Sequence, residues 1–232
     1  MFICEHGGTS SDDLVSHGTH VAGIVAGRRV ARAKFAGGVC NSDLYVWKVF
    51  GDEYDEEYED YLVDEKLYLR ALVAAERAGC RVVNLSIGGE ALSRQEQRLI
   101  KRLVDNDVVV VAAMGNEYEL GNPTEYPAAF DGVIAVGAVG PGQTRASFSN
   151  TGRHIAVVAP GEEIYSCVPR TAAAHRSETS YATWSGTSMA APHVTAAVAA
   201  VRQAMPTLTA LEVREALMGR AKALPAMAGR PF

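Results

Sequence analysis

The chain has 232 residues, with 48% hydrophobic and 21% charged side chains and a formal net charge of -5. That size and mix fit one globular domain with a sizeable core and exclude a disordered chain. The negative balance argues against a general nucleic-acid surface, and no apolar run approaches the roughly 20 residues that span a bilayer. No basic segment followed by an apolar stretch opens the chain, so no secretory signal is legible and the compartment stays open.

In chain order, HVAGIVAG (20–27) reads as a short helix of small residues that packs closely on a neighbour. DLYVWKVF (43–50) reads as a strand, and GDEYDEEYEDY (51–61) as an acidic, tyrosine-rich loop. YLVDEKLYLRALVAAERAG (61–79) has helical apolar spacing and a stop at Gly79. CRVVNLSIGG (80–89) is a strand running into a turn. SRQEQRLIKRLVDN (93–106) is an amphipathic helix, with Ser93 and Glu96 in capping-box spacing. DVVVVAAMGNE (107–117) and GVIAVGAV (132–139) are apolar on both faces, as strands of a buried parallel sheet are. HIAVVAPG (154–161) is a shorter strand, TSMAAPHVTAAVAAVRQA (187–204) a long buried helix, and TALEVREALMGRA (209–221) a last amphipathic one.

This alternation predicts a doubly wound α/β domain with a mainly parallel sheet. Ligands on such sheets sit at the carboxyl ends of strands, which selects the loops after Val49, Ile87 and Ala113. Cys4, Cys40, Cys80 and Cys167 show no paired metal-ligand spacing. Cys40 and Cys80, beside predicted strands, are expected to be small buried residues.

Three junctions carry candidate reactive groups. In SHGTH, His17 stands at a helix start. In WSGTSMAAPHV, Ser188 opens the long helix, in the positive field of its N-terminus. In AAMGNE, Asn116 follows a central strand, where its amide N–H₂ can donate to an oxyanion. A serine, a histidine and an amide donor are the parts of an acyl-transfer site. The serine lies in Gly186-Thr187-Ser188-Met189-Ala190, not the G-x-S-x-G of lipase-type hydrolases.

HGTHVAGIVAG, VVNLSIGG, VVVVAAMGN, EYPAAF, IAVGAV, ASFSNTG, VVAPG and SGTSMAAPHV occur in this order over nearly the whole chain. Together they resemble the successive signatures of the subtilisin-like serine proteases. The resemblance implies a three-layer α/β/α subtilisin-like fold with a mainly parallel sheet. It also implies hydrolysis of peptide bonds in an extended polypeptide substrate. It makes His17 the general base, Ser188 the nucleophile and Asn116 the oxyanion donor, and leaves His20 and His193 structural.

By the same resemblance, Ser86-Ile87-Gly88 is an edge that pairs with substrate and one wall of the primary specificity pocket. Ala113-Met114-Gly115 is the opposite wall. Glu125, just before Tyr126-Pro127, stands where the family puts a residue at the pocket floor. A carboxylate there would favour Lys or Arg before the scissile bond; the plainer alternative is a surface glutamate facing water. The acidic stretch 51–61 could attract a basic substrate or be a solvated loop. No cofactor is required. Calcium is conceivable, but no metal site is identified: the place of the family's calcium loop holds RRVARAKF (28–35), without oxygen side chains.

The family triad runs Asp, His, Ser, with the Asp at the end of a strand some thirty residues or more before the histidine. No such strand precedes His17. Asp12 and Asp13 lie in the loop just ahead of it, and the context of Glu5 does not match the Asp motif. A C-terminal strand of the family is missing after the last helix as well. Three arrangements account for this: a fragment of a larger protease, an Asp strand supplied by a propeptide or partner segment, or a catalytically impaired, peptide-binding scaffold. In a member of this family, loss of the Asp alone lowers turnover about 3 × 10⁴-fold.

Overall fold

A computed structural model describes residues 13–31, 34–56, 60–170 and 180–225. Its centre is a parallel sheet of four strands in chain order: β3 (Val82–Leu85), β4 (Val109–Ala113), β5 (Ile134–Val139) and β6 (Ile155–Pro160). The register pairs Val83 with Val110, Ala112 with Ala135, and Val136 with Val157.

Alternation along β4 builds the two cores. Val109, Val111 and Ala113 face α4 (Thr187–Ala204), meeting Ala190, Ala191, Val194 and Val198, with Val213 of α5 (Ala210–Arg220) in the same cluster. Val108, Val110, Ala112 and Met114 face the other way, onto Tyr68 and Leu72 of α2 (Glu65–Arg77) and Ile100 and Leu103 of α3 (Arg94–Asp105). Every β4 residue is buried, which is why the segment is apolar throughout. Each valine so buried contributes roughly 1.5–3 kcal/mol. The outcome is the expected three-layer α/β/α arrangement. The small residues of α1 (His17–Ala26) allow it to pack closely on α4 and on strand β7 (Ile164–Cys167).

Several local expectations change. The predicted strand 43–50 is a strand only from its last residue: β1 runs Phe50–Asp55 and pairs antiparallel with β2 (Asp60–Val63). The acidic segment is therefore largely a hairpin, although most of its side chains lie outside the described residues. Because Tyr61–Val63 belong to β2, the following helix begins at Glu65, and Asp64 caps it by accepting from Leu67 N–H at 2.9 Å. A second hairpin, β7 (Ile164–Cys167) with β8 (Tyr181–Trp184), is not evident in the pattern.

Ser93 caps α3, but Glu96 does not close the capping box. Its carboxylate accepts instead from Tyr68 Oη at 2.7 Å, a bond between two helices in a buried setting. The complete capping box belongs to α5, formed by Thr209 and Glu212. Cys40 is exposed and Cys80 half-buried, so neither is the fully buried residue expected; Cys40, lying outside the strands, has no core to enter.

Candidate active site

Helix α4 starts under the carboxyl ends of β3 and β4, and Pro192 shapes that start. Proline has no N–H, so the carbonyl four residues earlier, that of Ser188, loses its helical bond. Ser86, just past β3, fills the gap: its Oγ donates to the Ser188 carbonyl at 2.8 Å. Ser188 Oγ donates to the Ser86 carbonyl at 3.2 Å, so the two serines exchange hydrogen bonds. Ser86 is in turn held by Asn84 Nδ2 at 2.9 Å, and Asn84 Oδ1 by Thr195 Oγ1 at 2.7 Å. This network ties the edge strand to the helix across 102 residues of sequence.

Asn116 follows β4 and meets the same helix end. Its Oδ1 accepts from Thr187 N–H at 2.8 Å and Thr187 Oγ1 at 3.1 Å. The fully buried Thr187 hydroxyl also accepts from Gly115 N–H at 3.2 Å. With Oδ1 spent on the helix, the Asn116 amide N–H₂ is left as donor. Among the described residues neither it nor the Ser188 N–H makes a hydrogen bond. Both groups thus belong to residues at the N-terminus of α4, where negative charge is favoured.

His17, half-buried, begins α1 and sets its ring edge-on to Phe50, with centroids 5.8 Å apart. The helix is capped by Asp13, whose carboxylate accepts from Ser16 N–H at 2.8 Å and Thr19 N–H at 2.9 Å. Asp13 is therefore spent on the helix start; Glu5 and Asp12 lie outside the described residues. His20 is fully buried, stacked on Trp184 at 4.6 Å, and donates to the Ala182 carbonyl through Nε2 at 3.2 Å. Burial holds its pKa down at about 4, so it is neutral at neutral pH. His193 binds the Met189 carbonyl through Nδ1 at 2.9 Å, and burial lowers its pKa too.

The two candidate walls differ. Gly88 is exposed, and its N–H and C=O make no hydrogen bonds among the described residues, leaving them open to an extended peptide. Gly89 is paired with Tyr126 in both directions, at 3.0 and 2.9 Å. On the other side, Met114 is buried in the core beneath the sheet, and the Gly115 carbonyl accepts from Asn150 N–H at 3.0 Å. Between the walls lies Glu125. A Cβ on Gly88 would fall 2.5 Å from its Oε2, and one on Gly115 would collide with its Oε1.

Glu125 is 6% exposed, which overturns the alternative of a surface residue facing water. Burial, with the carboxyl of Glu117 beside it, pushes its pKa up to about 8. Asn150 Nδ2 donates to it at 3.0 Å. Sequence reasoning did not single out Thr187, Glu117 or Asn150. All three stand in the quoted stretches, Thr187 beside Ser188, Glu117 beside Asn116 and Asn150 within ASFSNTG, but their contacts required the folded loops. Nor did it foresee a cavity of about 360 Å³ lined by Val63, Tyr68, Ile87, Gly89, Glu90 and Tyr126, among others.

A profile of the subtilase family matches residues 5–231. The chain belongs to the subtilase family. This subtilase is 36% identical to subtilisin DY of Bacillus licheniformis over 217 residues, covering 93% of this chain and 73% of the relative. It is 35% identical to the subtilisin of Bacillus pumilus, covering 88% and 70%. Its identity to the major intracellular serine protease of Bacillus subtilis is also 35%, covering 82% of this chain and 56% of that one. Among solved structures, a cold-adapted subtilisin-like serine proteinase superposes with a TM-score of 0.78 at 25% identity, covering 95% of this chain and 74% of that chain. The prenylagaramide maturation protease PagA gives 0.76 at 25%, covering 96% and 76%. The fold and the serine-protease family are thus those that the motifs implied.

Proposed function

We propose that this subtilase is an endopeptidase that cleaves extended polypeptides through an acyl-enzyme on Ser188. His17 takes the Ser188 proton as the hydroxyl attacks the scissile carbonyl, then returns it to the leaving amine. Asn116 Nδ2 and Ser188 N–H stabilise the oxyanion. The observation that carries the proposal is the anchoring of Asn116 Oδ1 by Thr187, which keeps its amide N–H₂ as donor at the helix end that carries Ser188. Gly88 offers the main-chain groups with which substrate pairs as an added strand. Glu125, between Gly88 and Gly115, gives the pocket an acidic floor suited to Lys or Arg.

The mechanism calls for a carboxylate that orients His17; the Asp13 carboxylate is engaged at the start of α1. A fluorophosphonate probe tests the core of the proposal. Labelling of Ser188 that is lost in Ser188→Ala and falls steeply in His17→Ala is the expected result. A folded protein that takes no label would instead be a peptide-binding scaffold.

A further inference from the structure

The helix that carries His17 is held at its two ends by different parts of the chain. Its end is fixed by the segment that follows it: Gly38 N–H donates to the Ile24 carbonyl at 3.0 Å and Val39 N–H to the Val25 carbonyl at 2.9 Å. Its start is gripped by the β7–β8 hairpin. From β7, Ser166 Oγ donates to the His20 carbonyl at 2.7 Å, and a Cβ on Gly23 would collide with that hydroxyl and with Cys167 Sγ. From β8, the Ala182 carbonyl accepts from His20 Nε2 at 3.2 Å, and the Trp184 ring lies 11° from parallel to the imidazole. The hairpin then runs into the nucleophile. Trp184 ends β8, Gly186 N–H donates to the Gly161 carbonyl at 2.7 Å, and Ser188 follows in the first turn of α4. His20 thus joins the helix of the base to the segment of the nucleophile. The Asp13 bonds at the start of α1 are local and fix nothing relative to Ser188. Packing alone does not call for an imidazole here. His20 is fully buried and its Nδ1 has no hydrogen-bond partner, which is unfavourable; a phenyl ring would fill the space with no polar atom to strand.

We propose that His20 is a positioning residue for His17: its ring, clamped between Trp184 and the Ala182 carbonyl, fixes the rotation of α1 against the start of α4, and so the direction from which His17 meets Ser188. The proposal rests on the protease reading above and deepens it. His17 and His20 lie three residues apart, on one face of the helix. A rotation of about 10°, at the roughly 5–6 Å radius of a helix with its side chains, carries a ring through about 1 Å. A misplacement of about 1 Å at a reacting group costs about 10²-fold in rate. The clamp combines two separable contacts, a flat ring against Trp184 and a donor toward Ala182. Phenylalanine at position 20 keeps the first without the second, and glutamine the second without the first.

The test is saturation labelling of Ser188 in the full chain by peptidyl diphenyl phosphonates ending in Lys or in Leu. Ser188 Oγ bonds to phosphorus and phenol leaves, so phenol release reads the limiting rate separately from probe affinity. In His20→Ala the limiting rate is expected to fall about 10²-fold, with affinity within about twofold of the parent. His20→Phe and His20→Gln are expected to fall between, since each keeps one contact. The double variant of Trp184→Leu with His20→Ala is expected to be no slower than the slower single one, because the two rings act as a unit. Ile24→Ala is the control: it removes buried side chain from the same helix, 5% exposed and away from the clamp. It is expected to lower Tm while its limiting rate stays within about twofold of the parent. A His20→Ala limiting rate within about threefold of the parent, or an equal loss in Ile24→Ala, makes His20 a packing residue only. Either result overturns the proposal and leaves the protease reading standing. Should His20→Ala not fold, parental limiting rates in both His20→Phe and His20→Gln overturn it. A folded parent that takes neither probe overturns both readings.

Discussion

Thr187→Val is a sharp probe of the site, because it keeps the shape of a fully buried side chain and removes one hydroxyl with two duties. That hydroxyl donates to Asn116 Oδ1 at 3.1 Å and accepts from Gly115 N–H at 3.2 Å. Asn116 Oδ1 keeps the Thr187 N–H at 2.8 Å, so on that side the loss is one neutral hydrogen bond, about 1 kcal/mol. On the other side the buried Gly115 N–H is stranded, at a cost of about 1–3 kcal/mol. The total is about 3 kcal/mol, which for a chain of this size lowers Tm by about 6–12 °C. Urea unfolding followed by circular dichroism, with the m-value unchanged, measures it. Thr187→Ser retains the hydroxyl and should lose less than about 1.5 kcal/mol. Acylation should slow about tenfold in Thr187→Val, since Asn116 is held by one bond instead of two; full loss of an oxyanion donor costs more. A Thr187→Val protein within about 0.5 kcal/mol of the parent, or a Thr187→Ser equally damaged, would refute the reasoning.

Asn116→Ala should lower kcat by about 10²–10³ with little change in KM, because the oxyanion forms only after substrate is bound; steady-state kinetics on a chromogenic peptide reads this. The raised pKa of Glu125 means that its stabilising contribution is complete below the usual 4.5 and is lost as pH rises to about 8. Glu125→Gln should therefore gain on the parent between those limits, by at most about 1.4 kcal/mol per pH unit, in urea midpoints compared at acid and alkaline pH. Asp107 receives Arg202, whose side chain is 5% exposed, and the first N–H of α5. Asp107→Ala should cost about 1.5–3 kcal/mol, since Arg202 loses its carboxylate but keeps the backbone carbonyls of residues 107 and 208, measured by thermal unfolding.

Local pattern and motif determined much of this protein. The bounds of α4, residues 187–204, were legible because an apolar run at helical spacing, opened by Thr187, has one stable answer. The strands of the buried sheet were legible because both of their faces are apolar. His17, Ser188 and Asn116 were legible as candidates because each stands at a junction between elements. What stayed hidden depended on partners distant in sequence. The resemblance put Glu125 between the two walls, but nothing near residue 125 says that its carboxylate will be buried, or that Glu117 and Asn150 will crowd it. Nothing near Glu96 says that Tyr68 will outbid the N-terminus of its own helix for that side chain. Strand 43–50 was misjudged for a related reason: β propensity marks a segment as suited to a sheet, while neighbours decide whether and where it pairs. Periodicity reports which face of an element is buried, and only the tertiary fold decides what that face meets. The charge state of Glu125, and with it the chemistry of the pocket floor, belongs to that second kind of information.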